Sequence, residues 1–282
     1  MPMITTPSLI HSASLRLTFF LGLIFFSVFA SGCSRPPGRT GPLAHLESDA
    51  ETADLVGRVK TVRLESVKFL RDGRRWVEGA RQFISTTRYD EQGNTLEEEF
   101  YKPNGALAVK VVYSYDPRGL HAEESVFKGE ASLPSRLVYR HDEAGRLVEK
   151  LIYRADGAFD WKVAYDYDQK GNKREVAVYQ ADGALSAKRL YLYDGAGNQI
   201  EEAVYSDDRL VSKGAFSYDA KGNRTKEVFS LPKGTVSAQY LYDYEFDAAG
   251  NWIKRTRSSL DLASGRVDFD HSDVAYRTIS YY

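Results

Sequence analysis

The chain has 282 residues, 43% of them hydrophobic and 27% charged, with a formal net charge of −1. That length suits one large domain or two small ones, and the near-zero charge gives no field to draw in nucleic acid or an anionic membrane surface. A single cysteine excludes an internal disulfide. Tyrosine is the anomaly, with 19 copies against 14 Phe and 3 Trp, a bias that favours strands, where aromatic side chains sit well on a pleated surface.

In chain order, residues 17–30 come first, an apolar run of about 14 residues behind Arg16. It is too short for a spanning helix, which needs about 20, and suits a signal-peptide core of roughly 7–15. Ala30-Ser31-Gly32-Cys33 resembles the lipobox of bacterial lipoproteins, with Ala30 where that family prefers Leu. The resemblance implies lipidation of Cys33 and cleavage before it, making residues 1–32 a lipoprotein signal peptide. Ser34 after the cysteine implies, within that family, sorting to the outer membrane. An ordinary secretory signal cleaved near Ala30 is the alternative and leaves a free thiol. With several acyl chains, where one alone is marginal, the lipid bilayer is the expected partner and the bacterial cell envelope the expected location. Residues 33–54 then form a tether, because the clustered Pro and Gly of Arg35-Pro36-Pro37-Gly38 and Gly41-Pro42 favour extended, loosely ordered chain.

From residue 55 onward the chain repeats. An aromatic-acid-x-x-Gly unit begins at Tyr89, Tyr115, His141, Tyr167, Tyr193, Tyr218 and Phe246, in steps of 26, 26, 26, 26, 25 and 28. Its turn glycines are Gly93, Gly119, Gly145, Gly171, Gly197, Gly222 and Gly250. Asp at the first turn position can accept hydrogen bonds from downstream amides, and Gly at the fourth suits positive φ, as in a type I turn closed by a bulge. A second aromatic sits halfway, at Tyr101, Phe127, Tyr153, Tyr179, Tyr205 and Phe229. One cycle leaves no room for a crossover helix, so neighbouring strands should pair antiparallel.

Period-two apolar positions give one packed face, for example Phe159, Trp161, Val163, Tyr165 and Tyr167. The opposite face carries a basic row (Lys110, Arg136, Lys162, Lys188, Lys213) and an acidic row (Glu97, Glu123, Glu149, Glu175, Glu201), which should pair with each other. A single hairpin is marginal in water, so stability should come from stacking of neighbours. The expected fold is all-β: about six 26-residue repeats of antiparallel hairpins, stacked into an elongated sheet or solenoid over residues 55–282, with capping hairpins at both ends.

Recurrent Tyr-Asp-x-x-Gly-Asn with halfway aromatics resembles the YD repeat of RHS-type bacterial surface proteins. The ending, Gly250-Asn251-Trp252-Ile253-Lys254-Arg255 with Arg277-Thr278-Ile279-Ser280-Tyr281-Tyr282, is similar to that of small YD-repeat lipoproteins. Tyr101-Lys102-Pro103-Asn104-Gly105-Ala106-Leu107 also resembles a MORN-type repeat. Large RHS proteins enclose a toxin, but roughly six cycles cannot close such a shell.

No catalytic motif stands out. His141 occupies a turn-Tyr position, and no His pair has metal spacing. The cysteine belongs to the anchor, and Asp207, Asp208 and Asp261 read as turn formers rather than cation ligands. Glu repeated at one position reads as a structural row, not a glycosidase pair. No metal, cofactor or catalytic residue is therefore expected. The expected function is a non-catalytic binding or scaffold module displayed on the envelope, with a glycan or envelope-protein ligand. Its candidate ligand-facing aromatics are Tyr113, Tyr139, Tyr165, Tyr191 and Trp161, for which core packing is the competing role; exposed sheet edges could also accept an added strand. The alternative is an immunity or accessory factor for a secreted toxin, and the minor alternative a glycan-active enzyme.

Overall fold

The computed structural model describes residues 48–73, 75–129, 133–260 and 269–282; the expected signal peptide, Cys33 and most of the tether lie outside them. The described residues form one short helix, α1 (Asp49–Thr52), and sixteen strands. The first eight are β1 (Val59–Asp72), β2 (Arg75–Tyr89), β3 (Thr95–Tyr101), β4 (Leu107–Tyr115), β5 (His121–Lys128), β6 (Ser135–His141), β7 (Leu147–Tyr153) and β8 (Phe159–Tyr167). The rest are β9 (Lys173–Gln180), β10 (Leu185–Tyr193), β11 (Gln199–Ser206), β12 (Arg209–Tyr218), β13 (Arg224–Ser230), β14 (Val236–Phe246), β15 (Trp252–Leu260) and β16 (Phe269–Tyr281).

Each strand pairs antiparallel with the next in sequence, and β1 pairs with β16, so the sheet closes into a barrel. This corrects the expected open array or solenoid. A run of look-alike hairpins has the same local chemistry whether the sheet stays open or curls shut. The deciding contact is β1 with β16, where Val67 and Val274 pair directly and are both buried. Closure also removes the free edges on which an added strand could have docked.

The repeated turns show why the hairpins form. Asp168 Oδ1 accepts from the amides of Lys170 (2.8 Å) and Asn172 (2.9 Å), and Oδ2 accepts from Asn172 Nδ2 (2.9 Å). The register slips just before the turn, between Asp166 and Tyr167, as a bulge requires. Gly171 has φ +84°, and Gly93, Gly119, Gly145, Gly197, Gly222 and Gly250 adopt the same left-handed backbone. The turn between β11 and β12 lacks glycine, yet Asp207 (φ +47°) and Asp208 (φ +60°) are both left-handed. That is the two-residue hairpin geometry that Asp tolerates.

Residues 48–58 are built into the barrel end that carries the aromatic-acid-x-x-Gly turns. Ser48 and Glu51 form a capping box on α1. Ala50 N donates to Gly93 O (2.9 Å), while Val56 N donates to Asn251 Oδ1 (2.7 Å) and Asn251 Nδ2 donates back to Val56 O (2.9 Å). Ala50, Leu55, Val59, Val62 and Tyr89 pack beneath as one buried cluster. The segment is thus a strap from the β14–β15 turn to the β2–β3 turn, crossing the β16–β1 seam.

A Cβ at Gly171 would meet no atom within 4 Å, so a substitution there isolates the backbone cost. Gly171→Val should lower stability by about 1–3 kcal/mol, read from urea unfolding; an unchanged midpoint would remove the turn assignment.

Candidate ligand-facing interior

Directly paired residues share a face of an antiparallel sheet, so register separates inside from outside. On the crowded inner face a row winds around the barrel through the pairs Tyr113–Glu124, Tyr139–Lys150, Tyr165–Val176, Tyr191–Glu202, Phe216–Glu227 and Tyr242–Arg257. Glu124 also pairs with Leu137, two residues before Tyr139. The row therefore advances two residues per two strands, the stagger that tilted barrel strands require. The 26-residue period has become a ring of aromatics alternating with ionisable groups.

These groups bind one another. Tyr113 OH donates to Glu98 (2.9 Å), Thr87 Oγ1 donates to the same carboxylate (3.3 Å), and Lys150 Nζ reaches Glu124 (3.4 Å) while lying 4.4 Å from the Tyr139 ring centroid. Further round, Arg189 lies 3.8 Å from Glu202, and Glu227 takes Arg224 (2.8 Å) and Tyr242 OH (2.7 Å). Gly214 stands in this row because space is short: a Cβ there would come within 2.9 Å of both Glu202 and Phe216 side-chain atoms.

The outer face is different. Lys110 pairs with Glu97 (2.5 Å) and Glu99 (3.4 Å), Arg136 with Glu123 (3.6 Å), and Lys162 and Arg140 with Glu149 (3.7 and 3.1 Å). Arg136, Lys162 and Lys188 also lie over the halfway aromatics Tyr153, Tyr179 and Tyr205. The basic and acidic rows legible in the sequence are thus on the outside, and they pair between rows in these three cycles. A barrel wall in lipid needs an apolar band about 25 Å tall, and each Arg or Lys at mid-depth would cost about 2–4 kcal/mol.

Tyr113, Tyr139, Tyr165, Tyr191 and Trp161 all project inward; Tyr191 is buried and the others are half-buried. Their polar partners Glu98, Glu124, Lys150 and Glu202 escaped sequence reasoning. The signal was there, because Glu98, Glu124, Lys150, Val176 and Glu202 repeat at 26 one residue after the outer acidic row. His121, also missed, sits among the rings of Tyr113, Tyr115 and Tyr139. Among the described residues no cluster of His, Cys, Asp or Glu could hold a metal ion.

Asp49 ties the strap to this interior. Its carboxylate accepts from Thr95 N (2.7 Å) and Tyr115 OH (2.5 Å) and contacts His121 Nε2 (2.7 Å). Burial alone would raise its pKa, but the hydrogen bond and charge of His121, then Tyr115 and Thr95, outweigh it and hold the pKa below the ordinary carboxylate value. Glu98 goes the other way. Burial raises it, the charges of Glu124 and Asp49 add, and hydrogen bonds from Tyr113 and Thr87 only partly offset them.

Comparison with known proteins agrees at the level of fold. A family model described only as an uncharacterised protein matches residues 136–249. No curated protein matches the chain. A porin-like protein from Bacteroides uniformis is similar in structure, with 9% identity and a TM-score of 0.54 over 80% of this chain and 98% of that one. At that identity the likeness shows the barrel fold alone, which is compatible with an envelope or outer-membrane protein. The TcdB2–TccC3–Cdc42 complex has 14% identity and a TM-score of 0.35, over 70% of this chain and 12% of that one. The TcdB2–TccC3 complex has 13% identity and a TM-score of 0.34, over 76% and 16%. Likeness at those scores carries no structural argument.

The two carboxylates should respond oppositely to pH. Asp49, with its folded pKa depressed, contributes stability above its unfolded value, near the ordinary 3.8, and loses it as pH falls through the folded value. Asp49→Asn should therefore cost about 1.5–3 kcal/mol at pH 7, with the penalty fading below about pH 4. Glu98, with its pKa raised, costs stability once ionised. Glu98→Gln should raise the unfolding midpoint at pH 7, with the gain shrinking as pH drops. Chemical unfolding from pH 3 to 8 checks both, and equal pH profiles for the two variants would reject the assignment.

Proposed function

We propose that this chain is a non-catalytic envelope protein, tethered by lipid on Cys33, whose water-facing barrel binds a glycan or envelope-protein ligand at its inner face. The observation that carries this reading is the inward row of aromatics alternating with ionised groups. Flat rings offer stacking surface, and charged groups held in place by neighbours offer directional hydrogen bonds. Structural packing alone would be met at lower cost by apolar side chains, since buried ion pairs are often neutral or unfavourable against hydrophobic replacements. A charged outer wall accords with attachment by acyl chains rather than by insertion of the barrel in lipid.

Two measurements test this. Cys33→Ser should move the protein from the membrane to the soluble fraction and abolish lipid labelling; labelled, membrane-bound Cys33→Ser protein would remove the anchor. A glycan array and pull-down from envelope extracts, run with folded protein, should enrich a ligand that Tyr165→Ala weakens by about tenfold or more, the scale of one buried aromatic contact. No enrichment by either route would end the binding reading.

A further inference from the structure

We infer that the β6–β8 wall of the barrel interior is a saccharide subsite built on Tyr139, Trp161 and Tyr165. This rests on the reading of the barrel as a binding module; it selects the glycan over the protein ligand and says where the glycan sits. The inner aromatics differ in what holds their polar ends. Tyr113 and Tyr242 give their hydroxyls to Glu98 (2.9 Å) and Glu227 (2.7 Å). Toward the strap-bearing end, Tyr115, Tyr167, Tyr218 and Tyr244 donate to the carbonyls of Thr95, Leu147, Gln199 and Arg224 at 2.7–2.9 Å. The hydroxyls of Tyr139 and Tyr165 and the indole N–H of Trp161 make no hydrogen bond among the described residues, and all three side chains are half-buried. Tyr193 and Tyr240 also lack a hydroxyl partner there, but they stand on β10 and β14, and neither neighbours Trp161 in register.

Register brings the three together. Tyr139 pairs with Lys150, Lys150 pairs with Val163, and Trp161 and Tyr165 flank Val163 on β8. Trp161 and Tyr165 each stand about 7 Å along the strand from Val163, and Tyr139 about 10 Å across the sheet from it. The positions between them are closed, since Ile152, Val163, Val176, Val178 and Lys150 are all buried. Lys150 and Lys173 lie over the Tyr139 and Tyr165 rings at 4.4 and 5.8 Å, whereas the Trp161 ring carries neither a cation nor another ring among the described residues. Trp161 thus offers an open face, and the two tyrosines offer hydroxyls. A half-buried hydroxyl or N–H without a protein partner needs water or a ligand atom. An apolar ligand would strand all three polar ends. A peptide strand is recognised through main-chain pairing at a free edge, and each strand of this wall already has two partners. A saccharide asks for no edge. Its C–H face stacks on an indole, and its hydroxyls accept from Trp and both donate to and accept from Tyr.

The test titrates the intact protein, held in a detergent without a sugar headgroup, with chitohexaose, cellohexaose and maltohexaose. At least one should bind with a Kd of about 1 mM or tighter. Trp161→Ala should weaken it about tenfold or more, and Tyr165→Phe about fivefold, the scale of one hydrogen bond. Tyr179→Phe, on the outer wall beneath Lys162, should bind like wild type. Stability separates this role from packing. Tyr165→Phe keeps the ring and removes a hydroxyl that no protein group holds, so its unfolding midpoint should match wild type, whereas Tyr113→Phe takes a donor from Glu98 and should lower it. A folded Tyr165→Phe that binds like wild type, or one that unfolds early, would overturn the inference even if Trp161→Ala fails to fold. Wild-type protein that binds none of the three sugars would overturn it as well. If envelope extracts then yield a specific protein ligand, this subsite falls and the binding module stands; if they yield nothing, both fall.

Discussion

Pairing of β1 with β16 is the contact on which this structure depends. Without it the sheet would have two unpaired edges, each a template for association with another chain. With it, every strand has two neighbours and the sheet acquires an inside and an outside. Thr61 and Ser280, whose hydroxyls meet at 2.5 Å across the seam, are 219 residues apart in sequence, so closure joins the two ends of the described β domain. The strap reinforces that joint. Its bonds to Gly93 and Asn251 bracket the seam, and the cluster of Ala50, Leu55, Val59, Val62 and Tyr89 includes residues from both the strap and the first two strands.

Once the sheet is closed, the two-residue side-chain period sorts the charges. One set of 26-spaced positions points outward and makes exposed pairs, each worth about 0–1 kcal/mol. The adjacent set points inward, where the same kinds of residue are crowded together. Tyr113 has its pKa pushed well above the ordinary value by burial and by the charges of Glu98 and Glu124, whereas Lys110 outside is raised chiefly by its bond to Glu97. A one-residue change in spacing can move a side chain from one set to the other. The halfway aromatic stands 12 residues after the turn aromatic in five copies but 11 after it at Phe229. Tyr205 accordingly pairs with Lys188 on the outer wall, while Phe229 meets Phe216 and Tyr240 inside.

These observations also show what sequence could and could not reveal. Strands and turns were legible because Asp168 and Gly171 make their turn from atoms within five residues. The outer rows were legible because their sign repeats. Closure was not, since no local residue distinguishes a curled sheet from an open one. The inner polar row was hidden by its irregular signs, with Glu98 and Glu124 followed by Lys150 and Val176, which reads as drift unless register shows that all share one face. Helix α1 was hidden by its four-residue length, although Ser48-x-x-Glu51 has the spacing of a capping box.

The strap links the proposed anchor to the interior. Ser48 follows Cys33 by 15 residues, which extended would span at most about 50–54 Å. Within the described residues the strap is held chiefly at Asp49, whose carboxylate is bonded at once to Thr95, Tyr115 and His121. Those three residues belong to β3, β4 and β5, the start of the inner aromatic row. Spreading the attachment over several strands lets the closed wall, rather than one hairpin, resist displacement. It also leaves the opposite end, with the turns after β3, β7, β9 and β13, clear of the strap.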